Sequence, residues 1–146
     1  MESRELVRKT AGAAALTARS ASRIIGANDR IGIALIGCGS RGRQVASLVL
    51  KAPNVEYRVL CDVYEERTGQ ASQQLAGGKG ASARDFRKVL EQKDVDAVHV
   101  ATPDHWHAAM VVLACQAGKD VYVEKPISRT LREGRAEVEA AHKYKD

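Results

Sequence analysis

Short apolar segments alternate with segments of helical spacing along the chain from residue 31 onward. The run from Ile31 to Ile36 is apolar, which is typical of a strand that is buried on both faces of a sheet. Further strands are predicted at residues 55–61, 81–83, 95–101 and 121–123, where similar short apolar runs occur.

Helices are predicted between these strands, because apolar residues there recur at spacings of three and four. The predicted buried faces are Val45, Leu48, Val49 and Ala52; Phe86, Val89 and Leu90; Ala108, Val111, Val112 and Cys115; and Leu131, Gly134, Val138 and Ala141. A further helix is predicted over residues 64–76, ending at Gly77-Gly78, and Asp85 is a candidate N-cap. The alternation predicts an α/β fold, with a parallel sheet and helices on both faces.

The chain has 146 residues, which is enough for about one domain. Its net charge is +5, but residues 1–30 hold six Lys and Arg against three Asp and Glu, and the remainder is nearly balanced. A nucleic-acid-binding surface would gather its cations in one stripe, usually beside stacking aromatics. We therefore predict no nucleic-acid partner. We also predict no membrane span, since no apolar run approaches the roughly 20 residues that one needs.

Residues 1–28 form a leader of different composition, with a basic start, a short apolar stretch and small residues at its end. This order is typical of an export signal and resembles the twin-arginine type. It departs from that type because Arg4 stands alone where a pair is required, and because Arg19 interrupts the apolar stretch. The alternative is an N-terminal extension of a cytoplasmic protein, so the leader leaves open whether the protein is exported or cytoplasmic.

The segment Gly37-Cys38-Gly39-Ser40-Arg41-Gly42 matches the G-x-G-x-x-G pattern between the first predicted strand and helix. In that context Gly37 allows a tight turn, Gly39 lets a pyrophosphate approach the backbone, and Gly42 lets the helix pack against the strand. The helix N-terminus offers N–H groups to phosphates, with Ser40 and Arg41 as further candidate contacts, although a solvated Arg41 is the alternative. The motif predicts a Rossmann-type doubly wound sheet, with residues 30–146 as an NAD(P)-binding domain.

Asp62 follows the second predicted strand, 20 residues after Gly42, where a ribose-binding acid belongs. A carboxylate there accepts hydrogen bonds from the ribose hydroxyls and repels a 2′-phosphate. Val63 and Tyr64 come next, without an adjacent Arg or Lys, so NAD is predicted rather than NADP. The alternative is a solvated acid at the end of a strand.

Two more segments are informative. The fourth predicted strand is followed by Thr102-Pro103-Asp104-His105-Trp106-His107, and the next predicted helix is followed by Gly118-Lys119-Asp120-Val121-Tyr122-Val123-Glu124-Lys125-Pro126. Together with the glycine turn and Cys61-Asp62-Val63, they resemble the Gfo/Idh/MocA oxidoreductases over about residues 30–146. The resemblance implies hydride transfer between a nicotinamide cofactor and a sugar or polyol. It also implies a second, substrate-binding domain that is absent from this chain, and we expect the full-length protein to be a homo-oligomer.

The resemblance assigns roles to residues of the second half. Lys125 becomes the catalytic candidate, near the nicotinamide and the reacting carbon, where an ammonium can hydrogen-bond the substrate oxygen. Glu124 would contact the nicotinamide ribose, Pro126 would shape the turn, and Thr102, Pro103 and His107 would line the cofactor cleft. The alternative for Lys125 is a surface lysine paired with Glu124.

Other functions stay open at this point. One is a glycoside hydrolase that uses bound NAD for transient oxidation, and another is a dinucleotide-binding module without catalysis. No metal site is predicted, because His105 and His107 would fall on different faces of a helix. Cys38, Cys61 and Cys115 are predicted to be buried thiols without disulfide or metal roles.

Overall fold

The computed structural model describes residues 30–144. Its strands are β1 (Ile31–Ile36), β2 (Val55–Cys61), β3 (Ala81–Ala83), β4 (Ala97–Val100) and β5 (Asp120–Val123). Its helices are α1 (Ser40–Val49), α2 (Glu65–Ala76), α3 (Phe86–Leu90), α4 (His107–Gln116) and α5 (Leu131–Tyr144), with a 3-10 turn at Asp104–Trp106. The predicted leader, residues 1–28, lies outside the described residues.

The five strands form one parallel sheet in the order β3-β2-β1-β4-β5. The chain moves from β1 to one edge through β2 and β3, and then crosses back to the other side of β1 for β4 and β5. The point between β1 and β4, where the direction changes, is where open α/β sheets bind ligands at the carboxyl ends of their strands. The predicted doubly wound α/β fold of Rossmann type is confirmed.

The core has two layers, one on each face of the sheet. Leu35 and Leu60 point to one face and pack against Ala46 of α1 and Leu75 of α2. Another cluster, on the other face, joins strand residues to α3 and α4; it includes Ala34, Ile36, Val98, Val100, Val89, Met110 and Ala114. Successive residues of β1 therefore serve opposite layers, which is why this strand is apolar at nearly every position.

The first three strands have the bounds predicted from the apolar runs, whereas the faces of two helices differ. Leu48 on α1 is exposed, because Gly42, Val45 and Ala46 form the contact with the sheet. On α5, Leu131 and Val138 are exposed, and Ala140 packs against α4 instead. Val45 on α1 and Ala141 on α5 do pack inward as predicted, so apolar spacing misplaced only part of each helix face.

Within residues 30–144 the structure contains no helix that combines the length and apolar character needed to cross a membrane.

Candidate functional site

The glycine turn after β1 has a backbone that side chains would not allow. Gly37 has φ +97°, and a Cβ atom there would lie 2.5 Å from the carbonyl oxygen of Ala101. A Cβ atom on Gly42 would lie 2.1 Å from the carbonyl oxygen of Gly37. Both positions need glycine because two loops and the start of α1 approach each other closely there.

Gly39 differs from these two glycines, because a Cβ atom there would meet no heavy atom within 4 Å. It is the N-cap of α1 and provides no side-chain cap for the helix. The N–H groups of the first turn, beginning at Ser40, are therefore left for another acceptor. Open space beside an uncapped helix N-terminus fits a pyrophosphate, which the positive end of the helix dipole would stabilise.

Asp62 lies at the carboxyl end of β2, next to the glycine turn. Its Oδ2 accepts a hydrogen bond from the N–H of Cys38 at 2.8 Å, and its Oδ1 accepts one from the N–H of Tyr64 at 2.9 Å. These two bonds fix the carboxylate between the glycine turn and the start of α2. Each oxygen can still accept a further hydrogen bond, so the carboxylate can also bind ribose hydroxyls.

A cleft of about 460 Å³ opens beside Asp62, and we call it the glycine-turn cleft. Its lining joins the turn to the ends of β2, β3 and β4; it includes Gly37, Gly39, Asp62, Val63, Tyr64, Arg67, Arg84, Phe86, Thr102, Pro103, Trp106 and Met110. Most of this lining is apolar or aromatic, which suits the flat faces of a purine ring.

Sequence reasoning missed three arginines and three aromatic residues in this cleft, the latter being Tyr64, Phe86 and Trp106. Arg67, Arg84 and Arg87 line it, although they lie five or more residues from Asp62 along the chain. The Arg67 guanidinium lies 4.8 Å from the centre of the Tyr64 ring. Trp106 lines the same cleft. Arg67 comes from the first turn of α2, Arg84 and Arg87 come from the segment after β3, and Trp106 comes from the loop after β4. Spacing from the glycine turn therefore did not reveal them.

A second opening of about 380 Å³ lies at the ends of β4 and β5, and we call it the Lys125 pocket. It is lined by Arg41, Ala101, Thr102, Asp104, His107, Glu124 and Lys125. The Lys125 side chain has no hydrogen-bond or ion-pair partner among residues 30–144. Its ammonium is therefore available to a ligand in the pocket.

Glu124 is buried and pairs with Arg41 instead of Lys125. Its Oε2 accepts from Nε of Arg41 at 3.0 Å, and its Oε1 accepts from the Tyr122 hydroxyl at 3.3 Å. Burial raises the pKa of the Glu124 carboxyl, but the hydrogen bond and charge of Arg41 outweigh this and leave that pKa below its ordinary value. The ion pair connects the first turn of α1 to the end of β5, so Arg41 is more than a solvated residue.

His107 is also buried, at the start of α4. Its Nδ1 lies 2.7 Å from the carbonyl oxygen of Pro126, and its Nε2 lies 2.9 Å from the carbonyl oxygen of Thr102. The Lys125–Pro126 peptide bond is cis. Pro103 and Pro126 are exposed. The structure thus brings Thr102, His107, Glu124, Lys125 and Pro126 together from two separate loops.

His99 on β4 is a polar core residue that sequence reasoning did not single out. Its ring is 2% exposed, and its Nδ1 lies 2.9 Å from the Tyr57 hydroxyl, while Nε2 has no partner among the described residues. Burial lowers the pKa of His99 to about 4, against the opposing charge of Glu124. His99 therefore packs as a neutral ring in the core, edge-on to the ring of Tyr122.

No set of three or more His, Cys, Asp or Glu side chains within residues 30–144 is arranged to hold a metal ion. Cys38, Cys61 and Cys115 are buried and are not joined in disulfides. Burial, with the charge of Asp62, raises the pKa of both Cys38 and Cys61 to about 12, which makes these thiols poor nucleophiles.

Comparison with known proteins agrees with this geometry. Residues 31–146 match the family model described as "Oxidoreductase family, NAD-binding Rossmann fold", which is the Gfo/Idh/MocA family. A glycosyl hydrolase family 109 protein of Saccharopolyspora erythraea is 32% identical over 114 residues, which is 73% of this chain and 25% of that protein. The levoglucosan dehydrogenase of Pseudarthrobacter phenanthrenivorans is 30% identical over 120 residues, 77% of this chain and 30% of that protein.

Among solved structures, GenD2 from gentamicin A biosynthesis, in complex with NAD, superposes with a TM-score of 0.71 at 27% identity. The match covers 78% of this chain and 32% of that one. The chain thus spans about a quarter to a third of the length of these relatives. The uncapped glycine turn, the fixed Asp62 and the family match lead to one conclusion: this chain belongs to the Gfo/Idh/MocA oxidoreductases and contains their NAD-binding Rossmann domain.

Proposed function

We propose that the chain supplies the cofactor-binding part of an enzyme that transfers hydride between a nicotinamide and a carbon of a sugar or polyol. When bound, the nicotinamide supplies the redox chemistry, and the protein holds and orients it. The observation that carries this proposal is the continuous site from Asp62, past the open backbone at Gly39, to the unpaired Lys125 ammonium.

The residues at one end of this site fit the adenosine and the pyrophosphate. Gly37, Gly39 and Gly42 shape the turn that receives the phosphates, and the N–H groups from Ser40 onward donate to them. Asp62 accepts from the ribose hydroxyls and repels a 2′-phosphate, which supports NAD over NADP. Arg67, Arg84 and Arg87 line the same cleft, so this preference depends on the Asp62 charge outweighing three cations, of which Arg87 is paired with Asp85.

The residues at the other end fit the nicotinamide and the substrate. Lys125 is the catalytic candidate, because its ammonium can hydrogen-bond the substrate oxygen and stabilise the charge that develops there during hydride transfer. Thr102 lines both openings, and Pro103 lines the glycine-turn cleft. Both oxygens of Glu124 already have partners within the protein, so we assign Glu124 to holding Arg41 and the turn, with the ribose as an additional partner.

Two glycines provide a matched test of cofactor binding. A Cβ atom meets open space at both Gly39 and Gly69, but only Gly39 lies in the cleft. We expect Gly39→Trp to weaken NADH binding by at least about tenfold, which corresponds to about 1.4 kcal/mol, and Gly69→Trp to leave it nearly unchanged. Isothermal titration of this chain with NADH measures both. Equal affinities for the two variants would exclude the proposed phosphate site.

A glycoside hydrolase is the second candidate function, because several relatives, including that of Saccharopolyspora erythraea, are named glycosyl hydrolase family 109 proteins. The two reactions differ in their use of NAD. A dehydrogenase converts NAD to NADH in proportion to the sugar or polyol oxidised, whereas a hydrolase of this kind regenerates its bound NAD in every turnover. Assays of the complete protein with free sugars, polyols and nitrophenyl glycosides, following NADH and nitrophenol together, distinguish them.

The sugar or polyol substrate, the homo-oligomeric state and the exported or cytoplasmic location belong to the complete protein and stay predictions. The named dehydrogenase relatives support a sugar-like substrate. The leader that bears on location lies outside the described residues.

A further inference from the structure

Two loops form the Lys125 pocket, and one side chain connects them. The first loop, residues 101–106, follows β4, and the second, residues 124–130, follows β5. His107 contacts a carbonyl oxygen in each, Thr102 in the first and Pro126 in the second. Its ring is 2% exposed, so these two contacts are made away from bulk water.

Both acceptors are backbone carbonyls, which cannot donate. Each contact is therefore a hydrogen bond when the ring nitrogen concerned is the donor. A buried carboxyl on α5, that of Glu137, faces this region, and neither of its oxygens has a hydrogen-bond partner within residues 30–144. Burial raises the pKa of the Glu137 carboxyl above its ordinary value, although the nearby His107 ring opposes the rise. The packing of α5 on α4 therefore places this carboxyl near the ring.

We propose that His107 is a positioning residue, which ties the loop after β5 to the loop after β4 and thereby fixes Lys125 at the pocket. The role of Lys125 rests on the function proposed above, whereas the tie between the loops does not. Pro126 directly follows Lys125, so the contact at the Pro126 carbonyl is the one that determines where the lysine side chain starts. The contact at Thr102 holds the ring itself in place.

Substitution of His107 by asparagine or by glutamine tests the two contacts separately. In His107→Asn the amide nitrogen takes the place of Nδ1 and keeps the donor to Pro126, whereas in His107→Gln it takes the place of Nε2 and keeps the donor to Thr102. His107→Leu removes both. The exposed neighbour His105 gives the matched controls His105→Asn and His105→Gln, because its ring contacts neither carbonyl.

NADH and ADP-ribose are the two probes, since ADP-ribose lacks the nicotinamide. We expect His107→Leu to weaken NADH binding about tenfold, as for a lost buried hydrogen-bond pair, and to change ADP-ribose binding less than twofold. His107→Gln should behave like His107→Leu, and His107→Asn should stay within about threefold of the wild type. An equal loss of both ligands, or equal losses for Asn and Gln, would show a general structural role and overturn the proposal.

Amide hydrogen exchange, measured on the same variants without any ligand, tests the tie between the loops independently of the proposed function. We expect faster exchange in residues 124–130 for His107→Leu and His107→Gln, with His105 variants unchanged. Unchanged exchange at these residues overturns the positioning role. A wild-type chain that binds neither NADH nor ADP-ribose, but shows the expected exchange pattern, overturns the proposed function and leaves the tie between the loops intact.

Discussion

Asp62 uses both carboxylate oxygens within the protein and still faces the cleft. The N–H groups of Cys38 and Tyr64 hold it from two sides, so its charge is fixed at the mouth of the glycine-turn cleft. A fixed acceptor is more selective than a mobile one, because it cannot turn away from a phosphate that enters the same space.

The proposed preference for NAD over NADP rests on that fixed charge. We expect Asp62→Asn to weaken NADH binding by about tenfold, through loss of charge-assisted hydrogen bonds, and to improve NADPH binding, because Arg67 and Arg84 are then unopposed. Titration with both reduced cofactors measures the ratio of the two dissociation constants. Glu65→Gln, an exposed acid at the start of α2, is the control. A ratio that stays the same in Asp62→Asn would show that the arginines, and not Asp62, decide the preference.

At the scale of elements, the start of α5 has a capping box. The Thr130 hydroxyl accepts from the N–H of Glu133 at 3.2 Å, and Oε2 of Glu133 accepts from the N–H groups of Arg129 and Thr130 at 2.8 and 2.9 Å. These reciprocal bonds satisfy N–H groups that the helix leaves unpaired. They also determine where the loop that contains Lys125 ends.

Removal of the Thr130 hydroxyl should therefore destabilise the domain. We expect Thr130→Ala to lower the free energy of unfolding by about 1 kcal/mol, whereas Thr130→Ser, which keeps the hydroxyl, loses only a few tenths. Urea denaturation followed by circular dichroism gives both values. If Ala and Ser cost the same, the hydroxyl contributes nothing and the Glu133 side chain alone caps the helix.

Strands and turns could be predicted from the sequence because local rules determine them. The apolar run of β1, the glycines after it and the Asp85 cap of α3 all follow from a few neighbouring residues. Helix faces were harder, since the choice of face depends on what the helix packs against. On α5, Glu137 is buried and Leu131 is exposed, and no rule of apolar spacing produces that arrangement.

At the scale of the whole molecule, the candidate site also combines residues that local sequence rules predict with residues that they do not. The glycine turn and Asp62 were predicted because their separation along the chain is set by one strand-helix-strand unit. Arg67, Arg84 and the ion pair of Arg41 with Glu124 were missed, because residues distant in sequence meet there only through the sheet order. The two ring contacts of His107 likewise need two loops to be in place.

The stability of the whole molecule should depend on pH through His99. Burial lowers its pKa from 6.5 to about 4, so between these values the unfolded chain binds more protons than the folded one. Stability that is present above pH 6.5 is therefore lost as the pH falls towards 4, by roughly 3 kcal/mol for a shift of this size.

Substitution of His99 tests this dependence. We expect His99→Asn, which keeps an acceptor for the Tyr57 hydroxyl, to remove much of the decline in unfolding free energy between pH 6.5 and 4.5. The exposed His142→Asn should keep the wild-type decline. Urea denaturation at several pH values gives the slopes, and the comparison of slopes is independent of any overall destabilisation. Parallel slopes for wild type and His99→Asn would refute the assignment.

β1, the first strand within residues 30–144, is the middle strand of the sheet, and this order has a consequence for how the domain assembles. Ile33 pairs with Tyr57 on one side and with Ala97, 64 residues later, on the other. Closing so long a loop costs entropy before the pairing returns any stability. During synthesis, β1 must wait with one edge unpaired until β4 has left the ribosome. We therefore expect folding to be limited by this distant pairing, as in other proteins of high contact order.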